Sequence, residues 1–220
     1  MERARGPAEA PNHGTPATPR PAASIVLLRR GGKHGNRALE VLLLKRTERA
    51  AFMPGAWVFP GGSVDPEDGE GPDGFRACAV RELREEAGIE LPPDEDLVPF
   101  CRWITPEIVS RRFDAWFFLA LAPAHTPPKP DDEEIVDARW FEPTAALEAA
   151  AAGELVLPFP TRTQLSWLAA HPTSDAAIAA YRGRSTEPIM PELVGEGDDQ
   201  RLVLPGLPDS IRLADLRETD

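Results

Sequence analysis

Apolar residues along the chain occur in short runs that alternate with turn-forming residues, a pattern typical of β-strands. The predicted strands span residues 23–30, 39–45, 56–59, 100–105, 113–121 and 135–141, with a short strand-like piece at 202–204. Glycine and asparagine within residues 31–36 mark a turn, so the first two strands are expected to form a hairpin. The strands at 100–105 and 113–121 are expected to pair through the turn near Thr105 and Pro106.

Other segments follow the helical period and predict helices at residues 74–87, 144–152, 161–170 and 174–182. The first of them has Asp73 as its expected N-cap and Gly88 just beyond its end. Its apolar face of Phe75, Ala79 and Leu83 is expected to pack on a sheet. Because strands come first and helices interrupt them, the sequence predicts a mixed α/β or α+β fold.

The chain is expected to divide into three parts. Residues 1–21 are rich in proline and alanine and almost lack large apolar side chains, which predicts a disordered tail. Residues 22–170 carry the periodic segments and are expected to form the folded domain. Residues 171–220 are expected to add a helix and an extended tail.

The charge balance narrows the classes of partner. The chain has 24 basic and 36 acidic residues, a net charge of -12, which disfavours binding to nucleic acid or anionic lipid. No apolar run approaches the ~20 residues of a membrane span, and no secretory signal is evident, so a cytoplasmic protein is expected. A phosphate ester could bind only where a local cation, such as a divalent metal ion, offsets this field.

The helix predicted at 74–87 carries an acidic cluster. Glu82, Glu85 and Glu86 stand at positions i, i+3 and i+4 and are therefore neighbours on one face. Their mutual repulsion would become attraction around a cation, and hard carboxylate oxygens favour Mg²⁺ or Mn²⁺. Arg81 can pair with Glu85 one turn later and fix its rotamer. Taken alone, the same pattern also fits a solvated acidic surface.

The segment before the helix makes the metal hypothesis more specific. The strand at 56–59 is followed by Pro60 and the glycine pair Gly61-Gly62, where backbone groups can turn toward a metal or a pyrophosphate. A plain turn is the alternative for the glycines considered by themselves. The combination of strand, glycine pair, acidic loop and glutamate helix is more specific than any of its parts.

Residues 81–89, RELREEAGI, match the second half of the Nudix box, R-E-U-x-E-E-x-G-U, where U is a bulky apolar residue. Gly62 resembles the glycine that opens the box, but it stands nineteen residues before Arg81, five more than in the family pattern. A five-residue insertion within residues 65–73 is the interpretation. The acid that replaces the loop glutamate of the family is then either Glu70 or Asp73.

Further segments resemble the coenzyme A and acyl-coenzyme A diphosphatase branch of this family. They are residues 41–46, 52–62, 102–106 and 112–118. The family resemblance covers roughly residues 22–170 and implies an α/β/α sandwich with a mixed sheet. It also implies a metal-dependent pyrophosphohydrolase that cleaves a nucleoside diphosphate linked to another group.

The resemblance assigns roles to individual residues. Glu82, Glu85 and Glu86 would bind Mg²⁺ or Mn²⁺ together with the carbonyl of Gly61, and Arg81 would orient a glutamate. The base that activates water varies in the family, and the acidic run before the strand at 135–141 is its natural source. Glu134 and Glu133 are the candidates, with a solvated loop as the alternative for each.

Substrate-binding residues follow less directly from the sequence. Arg46, Arg111 and Arg112 are candidates to bind anionic groups, while Trp57 and Gly62 are candidates to contact the nucleotide. Coenzyme A or an acyl-coenzyme A is the favoured substrate. The alternatives are ADP-ribose, a dinucleotide or a damaged nucleotide, and a non-catalytic nucleotide sensor of the same fold. A homodimer is left open.

Overall fold

A computed structural model describes residues 14–30, 38–124, 126–196, 199–205 and 210–212. The strands are β1 (Arg20–Arg30), β2 (Leu39–Arg46), β3 (Trp57–Val58), β4 (Gly61–Ser63), β5 (Val98–Ile104), β6 (Phe113–Leu121), β7 (Ile135–Phe141), β8 (Pro188–Ile189), β9 (Glu192–Val194), β10 (Arg201–Val203) and β11 (Ser210–Arg212). The helices are a 3₁₀ helix (Pro66–Asp68) followed by α1 (Gly71–Ala87), α2 (Pro143–Ala151), α3 (Phe159–Ala169) and α4 (Ser174–Tyr181).

Within the described residues, eight strands form a mixed sheet. Its main path runs β3-β2-β1-β6-β5-β8, with β4 also pairing with β1 and β7 with β2. The central β1 and β6 are parallel, whereas the predicted hairpin of β1 with β2 and the predicted pair of β5 with β6 are antiparallel. The last three strands form a separate antiparallel sheet.

Helices cover both faces of the main sheet. Alternation along β1 sends Ile25 and Leu27 toward α1, where they share a buried cluster with Leu83. Val26 and Leu28 point to the opposite face and share a second buried cluster with residues of α2, α3 and α4. The predicted α/β/α sandwich with a mixed sheet is therefore confirmed. None of the helices in the described part has the length and apolar character that crossing a bilayer requires.

The predicted strand at 56–59 proves to be two strands with different partners. β3 pairs with β2, and β4 pairs with β1. Pro60 separates them, and because proline has no N–H to donate, a ladder is readily interrupted there. Its carbonyl accepts a hydrogen bond from the Ile25 N–H at 3.0 Å. Because of this interruption, Gly61 and Gly62 pair with the central strand β1, whereas β3 lies at the edge of the sheet.

Helix α1 begins three residues earlier than predicted. Glu70, and not Asp73, is the N-cap, and a proline occupies the first turn. Proline suits that position because its fixed φ is helical and its missing N–H is not needed there. Gly88 ends the helix in the left-handed conformation, with φ of 62°, as its position in the sequence predicts.

The N-terminal boundary of the folded part also differs from the prediction. β1 starts at Arg20, so the last two residues assigned to the tail lie in the sheet. The Arg20 N–H donates to the Arg112 carbonyl at 2.9 Å, and the Arg112 side chain donates to the Ala17 carbonyl at 2.9 Å. The predicted tail otherwise falls largely on residues 1–13, which lie outside the described residues.

Two truncations are expected to behave differently. Deleting residues 1–13 should leave the free energy of unfolding nearly unchanged, since their composition offers no apolar anchor. Deleting residues 1–21 should lower it by roughly 2–4 kcal/mol, because it removes strand pairing and the Ala17 carbonyl, one of the two backbone acceptors of Arg112. Urea unfolding of the two proteins measures the difference. Equal stability of the two truncations would contradict the role given to residues 14–21.

Candidate active site

The acidic face of α1 lies against the glycine strand β4. Glu86 is buried, with 5% of its surface exposed, and the Glu82 side chain is 16% exposed. The Glu85 side chain is 49% exposed and lies on the outer side of the cluster. The three carboxylates thus grade from buried to exposed around one turn of the helix, unlike an evenly solvated surface.

Glu86 is held by the backbone of the glycine strand. Its Oε2 accepts a hydrogen bond from the Gly61 N–H at 2.9 Å. The pKa of Glu86 is raised to about 8, chiefly by burial. The negative charges of Glu82 and Glu134 also raise it, whereas the Gly61 N–H and Arg46 lower it. Gly61 therefore contacts the acidic helix through its N–H, whereas the sequence analysis assigns it a carbonyl role.

Gly62 makes room for the second glutamate. A Cβ atom at this position would collide with the Glu82 carboxylate, so no other residue fits without displacing Glu82. Burial is the main cause that raises the pKa of Glu82 above its ordinary value. The structure thus gives Gly62 a steric role in packing the cluster, beside the substrate contact predicted for it.

Arg81 binds the two more exposed glutamates of the cluster, Glu82 and Glu85. Its Nη1 donates to Glu82 Oε1 at 2.9 Å and to Glu85 Oε2 at 3.0 Å, so the predicted Arg81–Glu85 pair is present. Its Nε and Nη2 donate to the two carboxylate oxygens of Asp68 at 2.9 and 2.8 Å. A bidentate pair of this kind fixes the plane of the guanidinium and hence both glutamate partners.

Asp68 is the residue that sequence reasoning missed. Its side chain is 4% exposed, and the hydrogen bonds from Arg81 are the main cause that lowers the pKa of the Asp68 carboxyl. Glu70 and Asp73, the two acids considered for this loop, are exposed. The five-residue insertion moves the loop acid away from its family spacing, and Pro66, which begins the 3₁₀ helix, is the only local signal of the new position.

Two more predicted residues meet at the same site. Arg46 Nη2 lies 3.7 Å from Glu134 Oε2, and Arg46 Nε donates to the Phe52 carbonyl at 3.1 Å. The antiparallel pairing of β2 with β7 brings them together, since Arg46 stands opposite Ile135. The negative charge of Glu134 contributes to the raised pKa of both Glu82 and Glu86, which places it in the same electrostatic cluster.

The loop that carries Glu134 is shaped by a single carboxylate. Asp131 Oδ1 accepts hydrogen bonds from the N–H groups of Glu133, Glu134 and Ile135 at 2.8–3.0 Å. Three bonds to one oxygen fix the backbone just before β7 and direct it into the strand. Glu133, the other candidate base, is exposed, and the structure places it in none of the contacts of the cluster described above.

The acidic helix and the sandwich agree with one family of enzymes. A family model for the NUDIX domain matches residues 18–158 of the chain. The chain belongs to the Nudix hydrolase family. Members of this family generally use divalent metal ions.

Similar proteins support the family and the fold of this Nudix hydrolase. A Caenorhabditis elegans protein named "Putative nudix hydrolase 7" is 31% identical over 215 residues, covering 79% of this chain and 68% of the relative. Human acyl-coenzyme A diphosphatase NUDT19 is 26% identical over 283 residues, covering 82% and 76%. A crystal structure of a NUDIX hydrolase from Alicyclobacillus acidocaldarius is similar with a TM-score of 0.65 at 24% identity, covering 76% and 99%.

Two of the residues predicted to bind substrate lie apart from the Nudix helix. Trp57 is 3% exposed and belongs to the core on the opposite face of the sheet, where it makes an edge contact with Phe141. Arg112 is 8% exposed and donates to the carbonyls of Thr105 and Ala17. An aromatic or cationic residue type shows what a side chain can bind but not which face of the sheet it reaches.

The residues of the Nudix helix fit a divalent cation by their chemistry. Carboxylate oxygens are the ligands that Mg²⁺ and Mn²⁺ prefer, and the negative charge of Glu82 contributes to the raised pKa of Glu86. Within the described residues, no three acidic, histidine or cysteine side chains converge on one point as a preformed metal site. The Glu85 carboxylate turns instead to Arg81 and Arg84.

Proposed function

We propose that this Nudix hydrolase is a Mg²⁺- or Mn²⁺-dependent diphosphatase that cleaves coenzyme A or acyl-coenzyme A. The single observation that carries the metal-dependent chemistry is the burial of Glu86 beside Glu82 and Glu134. A carboxyl whose pKa is raised to about 8 by burial is costly to ionise without a cation, and a bound divalent ion offsets that cost.

Glu82, Glu85 and Glu86 would hold the metal ion, which when bound neutralises charge on the phosphate oxygens. The bidentate contact with Asp68 keeps Arg81 in place, and Arg81 in turn orients Glu82 and Glu85. The Glu85 side chain is the most exposed of the three and can leave Arg81 for the metal by a change of rotamer.

Glu134 is the proposed base. Its side chain is 69% exposed, so water reaches it, and it lies in the same electrostatic cluster as Glu82 and Glu86. It would accept a proton from the water that attacks one phosphorus of the pyrophosphate. Arg46, held by the Phe52 carbonyl, would donate to a nonbridging oxygen and counter the negative field of the cluster.

The proposal of coenzyme A rests on the resemblance of the segments flanking the box and on the relative named acyl-coenzyme A diphosphatase. ADP-ribose, a dinucleotide or a damaged nucleotide would present the same pyrophosphate to the same carboxylates and is the alternative. A non-catalytic sensor is disfavoured, since binding alone has no need of three crowded glutamates that Arg81 holds in place.

A substrate panel tests the proposal. The protein should hydrolyse coenzyme A with Mg²⁺ or Mn²⁺ and release adenosine 3′,5′-bisphosphate and 4′-phosphopantetheine, which mass spectrometry identifies. ADP-ribose and dinucleotides should be turned over at least roughly tenfold more slowly, as expected for a pocket with one buried polar mismatch. Hydrolysis that persists in excess chelator would refute the metal-dependent mechanism. A preference for ADP-ribose would replace the coenzyme A assignment by its alternative.

A further inference from the structure

An open pocket of about 460 Å³ lies between the segment before β1 and the loop that joins β5 to β6. Three arginines line it, Arg20, Arg111 and Arg112, together with the smaller residues Ala17, Thr18 and Ser110. We call it the arginine pocket. In a chain of net charge -12, three arginines around one pocket form a local concentration of positive charge.

No carboxylate within the described part of the chain forms an ion pair with these three arginines. Elsewhere in the same chain, the guanidinium groups of Arg29, Arg81 and Arg102 reach carboxylates at 2.6–2.9 Å. Arg111 instead lies over the ring of Phe113, with its Cζ 5.2 Å from the centroid. The positive charge of the arginine pocket is therefore available to a ligand.

Arg112 forms the buried part of the pocket and is 8% exposed. Its Nε donates to the Thr105 carbonyl, its Nη1 to the Ala17 carbonyl and its Nη2 to the Met190 Sδ at 3.8 Å. A guanidinium has five N–H groups, so these three bonds leave two. All three acceptors are neutral, and a buried charge without a counter-charge is costly. A bound anion would supply that counter-charge.

The arginine pocket is connected to the active site by a short series of contacts. Arg46, which pairs with Glu134, donates to the Phe52 carbonyl, and the rings of Phe52 and Phe113 lie 5.9 Å apart. The guanidinium of Arg111 in turn lies over the ring of Phe113. Along β1, Arg20 precedes by four residues the Ser24 that pairs with Gly61, a backbone distance of roughly 13 Å. A ligand that reaches both places would have to extend over at least roughly this distance.

We infer that the arginine pocket binds a phosphate monoester that the substrate carries apart from its scissile pyrophosphate. In coenzyme A this group is the 3′-phosphate of the ribose, so the inference rests on the proposed function and extends it to substrate selection. A dianionic phosphate accepts hydrogen bonds from several guanidinium groups at once, which is the geometry arginine provides best. ADP-ribose and NAD have no such group and would leave the pocket unfilled.

The kinetic test compares coenzyme A with 3′-dephospho-coenzyme A, which differ only in this phosphate. The variant carries Arg20→Gln and Arg111→Gln, two substitutions outside the buried core. Its kcat/KM for coenzyme A should fall roughly 10- to 100-fold, mainly through KM, because two charge-assisted contacts are lost. Its kcat/KM for the dephospho form should stay within about twofold of the parent value, since that substrate does not use the pocket.

Arg184→Gln serves as the matched control. Arg184 is exposed and, like Arg111, lies over an aromatic ring, that of Tyr181 at 4.9 Å. Its loss changes the net charge without touching the arginine pocket and should leave both substrates unaffected. Equal losses on the two substrates in the double variant would overturn the inference, as would a parent enzyme indifferent to the 3′-phosphate.

A binding measurement without metal separates this inference from the proposed function. In calorimetric titrations, the parent protein should bind adenosine 3′,5′-bisphosphate more tightly than adenosine 5′-monophosphate, and the double variant should lose that preference. If the parent hydrolyses no pyrophosphate but retains the preference, the proposed function fails and the phosphate site stands. If the parent shows no preference, the arginine pocket is not a phosphate monoester site, whatever the enzyme hydrolyses.

Discussion

Replacing Glu86 by glutamine is expected to reduce turnover by roughly 100- to 1,000-fold. The substitution keeps the size of the side chain and leaves an amide oxygen that can still accept the 2.9 Å hydrogen bond from the Gly61 N–H. It removes one negative charge and one anionic donor from the cluster. Affinity for Mg²⁺ or Mn²⁺ should fall together with the rate. Calorimetric titration with the metal measures the affinity, and an activity assay measures the rate.

The same substitution should stabilise the protein when no metal is present. The pKa of Glu86 is raised from 4.5 to about 8 in the folded state, so the folded protein resists ionisation of this group. The parent therefore loses stability as pH rises from about 4.5 to about 8, and Glu86→Gln does not. Near pH 5 the two should unfold alike, and near pH 8 the variant should be more stable by on the order of 3 kcal/mol.

Glu90→Gln provides the control for both measurements. Glu90 is exposed just beyond the end of α1 and loses the same charge on substitution, so it should change neither turnover nor metal-free stability appreciably. Opposite responses of activity and stability at Glu86 alone are the expected signature of a metal ligand. Turnover at the parent rate in Glu86→Gln would refute the role given to this residue.

The sequence carried enough information to predict the acidic helix because its signals are local. Glu82, Glu85 and Glu86 follow one helical turn, and Arg81 reaches Glu85 through the same geometry. The limits of α1 were predicted less well, since Pro72 lengthens the helix at its start. Local spacing thus predicts which side chains share a face of a helix and less reliably where that helix begins.

Residues that meet through the sheet depend on register, which the sequence shows only in part. Arg46 and Glu134 were both chosen as candidates, but their contact follows from the antiparallel pairing of β2 with β7. Trp57 and Arg112 were chosen by residue type, and the sheet directs Trp57 into the opposite core. Residue type therefore suggests what a side chain could bind, whereas strand register decides which face of the sheet it reaches.

Asp68 could not be found from spacing because the insertion changes the length of the loop. Its position depends on the 3₁₀ helix at Pro66–Asp68, in which the Asp65 N–H donates to Asp68 Oδ2 at 2.9 Å. This short helix folds the acidic loop back so that Asp68 faces Arg81. The loop acid that contacts Arg81 thus lies thirteen positions before it and reaches it through three-dimensional structure alone.

Asp68→Asn is accordingly expected to lower both the free energy of unfolding and the turnover rate. The variant leaves Arg81 with a neutral partner in a buried position, which should cost roughly 1–3 kcal/mol of unfolding free energy near neutral pH. The pKa of Asp68 is lower in the folded than in the unfolded protein. Ionised Asp68 therefore stabilises the fold at pH values above its unfolded-state pKa, and this stabilisation is lost as the pH falls through its folded-state pKa. The stability difference between parent and variant should therefore shrink in acid, as urea unfolding at several pH values would measure.

Turnover should fall roughly 10- to 100-fold in the same variant, because Arg81 no longer holds Glu82 and Glu85 in place. The loss should appear mainly in kcat and in metal affinity, since Asp68 faces Arg81 and not the substrate. Glu67→Gln, an exposed member of the same 3₁₀ helix with the same charge change, should alter neither quantity. If Asp68→Asn retained parent activity and metal affinity, Arg81 would orient the glutamates without Asp68, and the insertion would have removed the need for a loop acid.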